Sequence, residues 1–186
     1  MQPPAITLIK QEHQALTTVL RALRQSVKRV GKSGQPPDFD GLRAMLFYLD
    51  EMPARVHHAN ESELLFPRIY ERCPALRPVL DRLQAEHSRG ESAVRELEHA
   101  LTGWQIMGNE RREAFELLLH AYSEDYLGHM EVEESYVLPV AMDYLSPADW
   151  SELGAAFTRQ RGALAESIAR GHRELFERIA SNQSLS

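Results

Sequence analysis

The chain has 186 residues, 27 of them acidic and 21 basic, so its formal net charge is −6. This balance, without a basic block, argues against nucleic acid as a partner, and no apolar run reaches the roughly 18 residues of a membrane span. The single cysteine, Cys73, excludes an internal disulfide framework and cannot form a thiolate metal site alone. We therefore expect one domain, residues 1–186, in the cytoplasm.

The first helix is predicted over about residues 5–30, where apolar residues recur in steps of three and four. His13 lies in the middle of this apolar stripe. Residues 31–37 are predicted to form a loop, because they combine glycines with prolines that cannot continue a helix. The stripe consists of Ile9, Leu16, Leu20, Leu23 and Val27.

The second helix is predicted from an N-cap at Asp38 to about residue 71. Pro53 removes one backbone hydrogen bond and is expected to kink this helix four residues before His57. Pro67 either adds a second bend or marks the end of the helix.

The third helix is predicted to follow Pro74 or to start at Pro78, and to end at Gly103. His87 lies in its apolar stripe, and Gly90, one turn later, leaves space where a side chain would otherwise fill the core. The rest of the stripe is Leu80, Leu83, Val94, Leu97 and Leu101.

The fourth helix is predicted over about residues 110–144, after a turn and cap at Gly108 and Asn109. Ser146, Pro147 and Asp149 then form a helix-start signal, which predicts a fifth helix over about residues 147–180. The fourth stripe is Leu118, Tyr122, Asp125 or Tyr126, His129, Glu133, Tyr136 and Val140. The fifth is Trp150, Leu153, Phe157, Leu164, Ile168, Leu175 and Ile179, with His172 near one edge.

Long amphipathic helices with short connections predict an all-α fold, an antiparallel up-down four-helix bundle over about residues 5–145. The fifth helix is expected to pack on the outside of this bundle or to pair two chains as a homodimer.

Two stretches of the chain repeat one pattern. His57 and His129 each begin a sequence His-x-x-x-Glu that is followed, after five residues, by proline. Upstream of each copy stands a second doubled piece, Glu12-His13 and Glu86-His87. The repetition predicts two helical hairpins that bring imidazoles and carboxylates to one shared site.

Helix phase separates these pairs from chance pairs with the same spacing, since residues four apart share a face. His129–Glu133 lies within an apolar stripe, and His57–Glu61 lies between apolar residues. His120–Glu124 is expected to face solvent, as is His99, because each is off the phase of the ligand stripe on its helix. Glu91, one turn beyond His87, is ambiguous on phase alone.

Buried imidazoles and carboxylates are costly unless something compensates for their desolvation. A pair of metal ions would do so, and a structural polar network is the alternative. The ligand set suits iron, manganese or zinc, whereas calcium and magnesium prefer all-oxygen shells. The histidines and glutamates of the two repeats are too few to fill the coordination shells of two metal ions. A position would therefore stay open for a small diatomic molecule or peroxide.

These residues resemble the hemerythrin-like, HHE cation-binding family, over about residues 6–139. The resemblance rests on His13, on His57-His58-Ala-Asn-Glu61 with its later Leu-Phe-Pro67, on Glu86-His87 with Gly90, and on His129-Met-Glu-Val-Glu133-Glu134 with its later Leu-Pro139. Members of this family are four-helix bundles around a non-haem di-iron site, so the resemblance implies two iron ions here. Manganese and zinc are the alternatives.

The resemblance also assigns roles to individual residues. It implies bridging carboxylates at Glu61 and Glu133, and a further ligand at His58, one helical step from its neighbour. Glu91 and Glu134 stand where oxygen-carrying relatives have histidine and aspartate, which argues against reversible oxygen carriage. The implied terminal ligands are His13, His57, His87 and His129.

These features predict a protein that senses or handles dioxygen, nitric oxide or peroxide. The alternatives are a redox enzyme acting on peroxide or nitric oxide, and a protein for iron storage, iron delivery or repair of iron centres. Tyr122 and Tyr126 either line the ligand pocket or are ordinary core aromatics.

Overall fold

The computed structural model describes residues 2–33, 36–160 and 162, the side chains of Lys32, Ser33 and Arg55 excepted. All regular structure in these ranges is helical. Helix α1 is Pro4–Ser33, α2 comprises Phe39–Met52, Pro53–His57, His58–Asn60, Glu61–Leu65 and Phe66–Arg72, and α3 is Arg77–Met107. Helix α4 comprises Arg112–Val132, Glu133–Val137 and Leu138–Tyr144, and α5 covers residues 147–160. Short 3₁₀ turns, Pro74–Leu76 and Asn109–Arg111, precede α3 and α4.

The first four helices form an antiparallel bundle in which each contacts the next and α1 also contacts α4. One apolar cluster takes residues from the C-terminal halves of α1 and α3 and from the N-terminal halves of α2 and α4. A second cluster takes the opposite halves, together with α5. This alternation confirms the predicted all-α, up-down four-helix bundle with an additional helix. None of the described helices has both the length and the apolar character that a membrane crossing requires.

The candidate ligands lie in a layer between these two apolar clusters. On α1, His13 stands between Ile9 of one cluster and Leu16 of the other. On α3, His87 stands between Leu83 and Val94 in the same way. Apolar side chains therefore lie on both sides of the polar layer, which agrees with the prediction that the histidines stand within apolar stripes.

Two wide helical turns, Glu61–Leu65 and Glu133–Val137, explain the repeated proline. In each turn an N–H donates to the carbonyl five residues back, Phe66 to Glu61 and Leu138 to Glu133. A proline in a regular α-helix collides with the carbonyl four residues back, and the extra residue of a wide turn relieves that collision. Helix α2 therefore continues past Pro67, which is not its end.

A third wide turn, Pro53–His57, follows the N-terminal part of α2. It lies where a kink was predicted, and it brings His57 and His58 to the start of the ligand layer. The predicted N-cap of α2 is also confirmed, since the Asp38 carboxylate accepts a hydrogen bond from Gly41 N–H.

Two predicted helix ends were wrong. Helix α1 runs to Ser33, so the loop that was expected from residue 31 begins later. Helix α3 does not stop at Gly103 but continues to Met107 and ends at Gly108, whose φ is +90°. A glycine inside a helix costs only about 1 kcal/mol, and buried Trp104 stabilises the turn beyond it.

The predicted stripe of α4 was wrong at both ends. Leu118 and Tyr136 are 36% and 50% exposed, whereas Leu119 and Val137 are buried. At the C-terminal end, the wide turn that begins at Glu133 inserts one residue, so the inward face after it moves on by one position, from Tyr136 to Val137. A sequence pattern with steps of three and four residues does not reveal this inserted residue.

Helix α5 begins with the predicted signal. The Asp149 carboxylate accepts hydrogen bonds from Ser146 N–H and Oγ–H, and Ser146 Oγ accepts one from Asp149 N–H, which is a reciprocal cap. Trp150, Leu153 and Phe157 pack into the second apolar cluster, so residues 147–160 lie against the outside of the bundle. The other predicted stripe positions, Leu164, Ile168, His172, Leu175 and Ile179, lie outside the described residues.

Candidate metal centre

All seven predicted ligands are buried and lie together in the polar layer. Each group below can offer one ligand atom per residue, with these atoms within 4.8 Å of one another. The first group is His13, His57, Glu61 and Glu133, and the second is Glu61, His87, His129 and Glu133. The third is His58, His87 and His129.

Two pairs of histidines face each other through the same ring atom. The Nε2 atoms of His13 and His57 are 3.0 Å apart, and so are those of His87 and His129. Two nitrogens that bind one ion at about 2.1 Å and at right angles are about 3.0 Å apart. The spacing within each pair is therefore the spacing of two ligands on one cation.

In all four histidines the opposite ring nitrogen, Nδ1, has a hydrogen-bonding partner on an adjacent helix of the bundle. The partners form a closed ring around the bundle, which we call the outer ring. Its pairs are Glu12 with His57 at 3.1 Å, Ser62 with His87 at 3.0 Å, Glu86 with His129 at 2.9 Å and Glu134 with His13 at 2.8 Å.

The outer ring fixes the proton on two of the imidazoles, those of His13 and His57. Glu12 and Glu134 accept from Nδ1 of His57 and His13, so in the neutral rings both Nε2 atoms carry lone pairs. Two buried lone pairs 3.0 Å apart repel each other unless a proton or a cation lies between them. A cation satisfies both nitrogens at once.

The two carboxylates lie between the histidine pairs. Glu61 Oε2 is 3.6 Å from His57 Nε2 and 3.5 Å from His87 Nε2. Glu133 places one oxygen 3.2 Å from His13 Nε2 and the other 3.0 Å from His129 Nε2. Each carboxylate therefore contacts imidazoles of both pairs, which is the position that a bridging ligand needs.

Several buried polar atoms of this layer have no hydrogen bond of normal geometry within the described part of the chain. They are His58 Nδ1, Glu61 Oε2 and both carboxylate oxygens of Glu133. Buried polar atoms without partners are rare in proteins because each costs about 1–3 kcal/mol. A bound cation would remove that cost, so these residues fit a metal centre.

Burial keeps most of the imidazoles neutral. Desolvation lowers the pKa of His57 and of His87, and it lowers the pKa of His58 furthest, with help from the nearby His87. Burial also opposes the charged form of His129, but the contacts with Glu133 and Glu86 outweigh it and raise the pKa of His129. Neutral imidazole is the form that binds metals.

The pKa values of the two neighbouring carboxylates are shifted in opposite directions. Burial, and then repulsion from Glu133, hold the pKa of Glu61 well above its usual range. Burial would also raise the pKa of Glu133, but the imidazoles of His129 and His13 reverse this and hold it well below its usual range. Of the two carboxylates, Glu61 is therefore the one that holds a proton more readily, and a metal ion would have to displace that proton.

His58 occupies a different position from the four paired histidines. Its ring stacks on His87 with centroids 3.9 Å apart, and its Nε2 lies 3.3 Å from the hydroxyl of Tyr126. Nδ1 is therefore the nitrogen left for a metal. His58 joins His87 and His129, so one pair has a third histidine and the other does not.

Helix phase correctly placed His99 and His120, the two remaining histidines among the described residues. His120 is 64% exposed and pairs loosely with Glu124, and His99 is also exposed. Glu91 is half-buried and belongs to none of the ligand groups found in the described residues. The four members of the outer ring were not predicted. The doubled Glu12-His13 and Glu86-His87 was a signal for two of them.

The donor set of imidazole and carboxylate suits iron, manganese and zinc. Comparison with protein families supports a cation-binding site, since the model of the hemerythrin HHE cation binding domain matches residues 5–141. No similar sequence was found among curated proteins. The match covers most of the chain and includes every residue of the metal centre, and the chain belongs to the hemerythrin HHE cation-binding family.

Proposed function

We propose that this protein holds two iron ions in the His/Glu layer and uses them to sense or handle dioxygen, nitric oxide or peroxide. The observation that carries the proposal is the facing of two Nε2 lone pairs, His13 against His57, with both Nδ1 atoms held by carboxylates. A structural polar network would need an additional proton between these two nitrogens, whereas one cation binds both.

Two ions, and not one, are supported by the two histidine pairs that share Glu61 and Glu133. Each pair supplies two imidazoles, and Glu61 and Glu133 can each add one oxygen to either pair. His58 adds a third imidazole to the pair of His87 and His129. Seven protein residues cannot fill two six-coordinate shells, so open positions remain for an exogenous ligand. Redox-active ions at this site would supply the electrons that reduction of such a ligand needs.

The protein residues have three tasks in this proposal. The apolar clusters on either side of the layer exclude water. The outer ring orients each imidazole through Nδ1 and keeps Nε2 available. Tyr126, whose hydroxyl is within hydrogen-bonding distance of His58 Nε2, holds that ring in place.

A second function, a redox enzyme acting on peroxide or nitric oxide, is favoured by one observation. A cavity of about 530 Å³ reaches His58, His87 and His129 from the surface, and it is lined by Tyr122 and Tyr126. A sensor needs access for a gas molecule only, whereas an enzyme needs room for substrate and product.

The test is elemental analysis and a visible spectrum of the purified protein, before and after exposure to oxygen, nitric oxide and peroxide. About two iron ions per chain and a spectral response are expected. His129→Ala should abolish both, and His120→Ala is the matched control, since it stands on the same helix with a glutamate four residues later but is exposed. A zinc protein, or one without a response, would contradict the proposal.

A further inference from the structure

The cavity beside the metal centre lies in the groove between α3 and α4, which we call the α3–α4 groove. His58, His87 and His129 form its inner end, and Gly90 and Gly128 face it from the two helices. Its volume of about 530 Å³ is far larger than a diatomic molecule needs. Pockets of roughly 300–1,000 Å³ typically bind small organic molecules.

The two glycines keep this groove open. A Cβ atom at Gly90 or at Gly128 would meet no atom within 4 Å, so no close packing requires glycine at either position. Both lie inside helices, where glycine is about 0.5–1 kcal/mol less favourable than alanine. Their small size is therefore useful for the space that it leaves.

The other hairpin shows what closes the corresponding groove. Leu16 follows His13 by three residues, as Gly90 follows His87, and Val56 precedes His57 by one residue, as Gly128 precedes His129. Leu16 and Val56 are both buried. Two apolar side chains thus fill the positions that the α3–α4 groove leaves empty.

The lining of the α3–α4 groove disfavours an anion, because Glu124 and Asp125 line it as well, and it suits an uncharged molecule with one polar end. At its mouth, Arg82 and Arg89 both contact the Glu86 carboxylate, at 3.3 and 3.6 Å, so these cations already have a partner. The middle is lined by Ala93, the glycines and the rings of Tyr122 and Tyr126. The inner end is polar, because the side chains of His58, His87 and His129 lie there.

We propose that the α3–α4 groove is a binding site for organic hydroperoxides, with the apolar group against Tyr122 and Tyr126 and the peroxide end at the histidines. The inference rests on the proposed function, which supplies the reason for a peroxide at this centre. It goes beyond that function by assigning a substrate class and by making Gly90 and Gly128 the residues that determine its size.

The first experiment measures binding without turnover. Cumyl alcohol, which has the shape of cumene hydroperoxide but no peroxide bond, is titrated into zinc-loaded protein and followed by ligand-observed NMR. Saturable binding is expected for the wild type. The double variant Gly90→Leu, Gly128→Val carries the residues that close the other groove, and it should weaken binding at least about tenfold.

Gly103→Leu is the matched control, because Gly103 lies on the same helix with nothing within 4 Å of its Cβ and does not line the groove. It should bind like the wild type. If the double variant does not fold, Gly90→Leu alone serves the same test. Binding that is equal in the closed variants and the wild type, or absent from both, would overturn the inference.

The second experiment separates this inference from the proposed function. The rate at which the spectrum of the iron-loaded protein responds is measured with hydrogen peroxide and with cumene hydroperoxide. The closed variant should lose at least about tenfold in rate with cumene hydroperoxide and at most about threefold with hydrogen peroxide. A wild type that responds to hydrogen peroxide alone overturns the organic site and leaves the function standing. A wild type that responds to neither peroxide overturns peroxide handling, and with it the reason for this site.

Discussion

The two hairpins of the bundle carry the same pattern and differ in what surrounds it. The α1–α2 hairpin contributes His13 and His57, and the α3–α4 hairpin contributes His87 and His129. Within the described part of the chain, only the second pair has a third histidine, His58, and only its groove has glycines where the first hairpin has buried leucine and valine. We infer from this difference that the near-symmetric scaffold gives ligand access to the α3–α4 side of the metal centre, where the cavity reaches His58, His87 and His129.

The metal centre has two halves, one with the α1–α2 histidine pair and one with the α3–α4 pair. The largest expected effect comes from removing a ligand that both halves share. Glu133→Ala removes a carboxylate that contacts imidazoles of both pairs, so both ions should be lost together. Metal content should fall from about two ions per chain to near zero, and metal-dependent stabilisation should fall by several kcal/mol, about what tight ion binding contributes. Elemental analysis and thermal unfolding check this, with exposed Glu124→Ala as the control. Retention of one tightly bound ion would show that the halves are independent.

The next effect should be confined to one half. His58 follows His57 as Met130 follows His129, so His58→Met makes the two halves of the metal centre alike. Release of one ion to a chelator should accelerate by more than the roughly 10–100-fold expected for loss of an outer partner, while the other ion stays bound. The reciprocal variant Met130→His offers the α1–α2 half a third imidazole and should slow release there. Equal acceleration of both ions in His58→Met would contradict the assignment.

A smaller effect is expected from the outer ring. Glu12→Ala and Ser62→Ala each remove the Nδ1 partner of one histidine, His57 and His87 respectively. Each should weaken metal binding by about 10–100-fold, with the carboxylate variant at the upper end, because a charged acceptor orients and polarises the ring more strongly than a hydroxyl. Competition with a metal-binding dye measures both, and an order in which Ser62→Ala is worse would contradict this reasoning.

The hairpins also differ in how they hold α5. Asp149 contacts Arg68 and Arg72 on α2, and the positions 72 residues later on α4 are Val140 and Tyr144. Hydrogen bonds from Ser146, and then Arg72, lower the pKa of Asp149 from 3.8 to about 2. Since the folded-state pKa is the lower one, its stabilising effect is present above pH 3.8 and disappears as the pH falls towards 2.

Asp149→Asn should therefore lower the urea midpoint near neutral pH, and the difference from the wild type should vanish towards pH 2. Asp143→Asn, an exposed change on α4, is the control. Metal content should not change in either variant, because α5 packs on the apolar cluster and not on the ligands. A difference that persists at the lowest pH would mean that Asp149 acts through packing and not through its charge.

The smallest effect has the opposite sign. Gly90→Ala and Gly128→Ala should each raise the free energy of unfolding by about 0.5–1 kcal/mol, since both positions are helical and open. Gly108→Ala should lower it, because a φ of +90° is strained for any residue with a Cβ. Denaturant unfolding of the three variants measures the contrast. Destabilisation by the two helical alanines would show that something already fills the groove.

Helix phase was enough to predict the bundle and the burial of six of the seven candidate ligands, because buried polar residues stand out in an apolar stripe, whereas His58 was inferred from the family resemblance. His120 and His129 show this best, since the same spacing on the same helix leads to opposite faces. Helix phase predicted the wrong buried positions after Glu133, because the wide turn there changes the number of residues per turn. The partners of Nδ1 and the open groove depend on how neighbouring helices are aligned, and a single helix pattern does not contain that alignment.

The outer ring also has a sense of rotation. On α1 and α3 the partner is the residue before the ligand, Glu12 and Glu86, whereas on α2 and α4 it is the residue after one, Ser62 and Glu134. Antiparallel neighbours run in opposite directions, so a step back on one and a step forward on the next turn the same way around the bundle axis. In a bundle of the mirror-image hand, these side chains would point away from the helix they now reach. Apolar packing distinguishes the two hands poorly, and four hydrogen bonds of about 1 kcal/mol or more each select one of them.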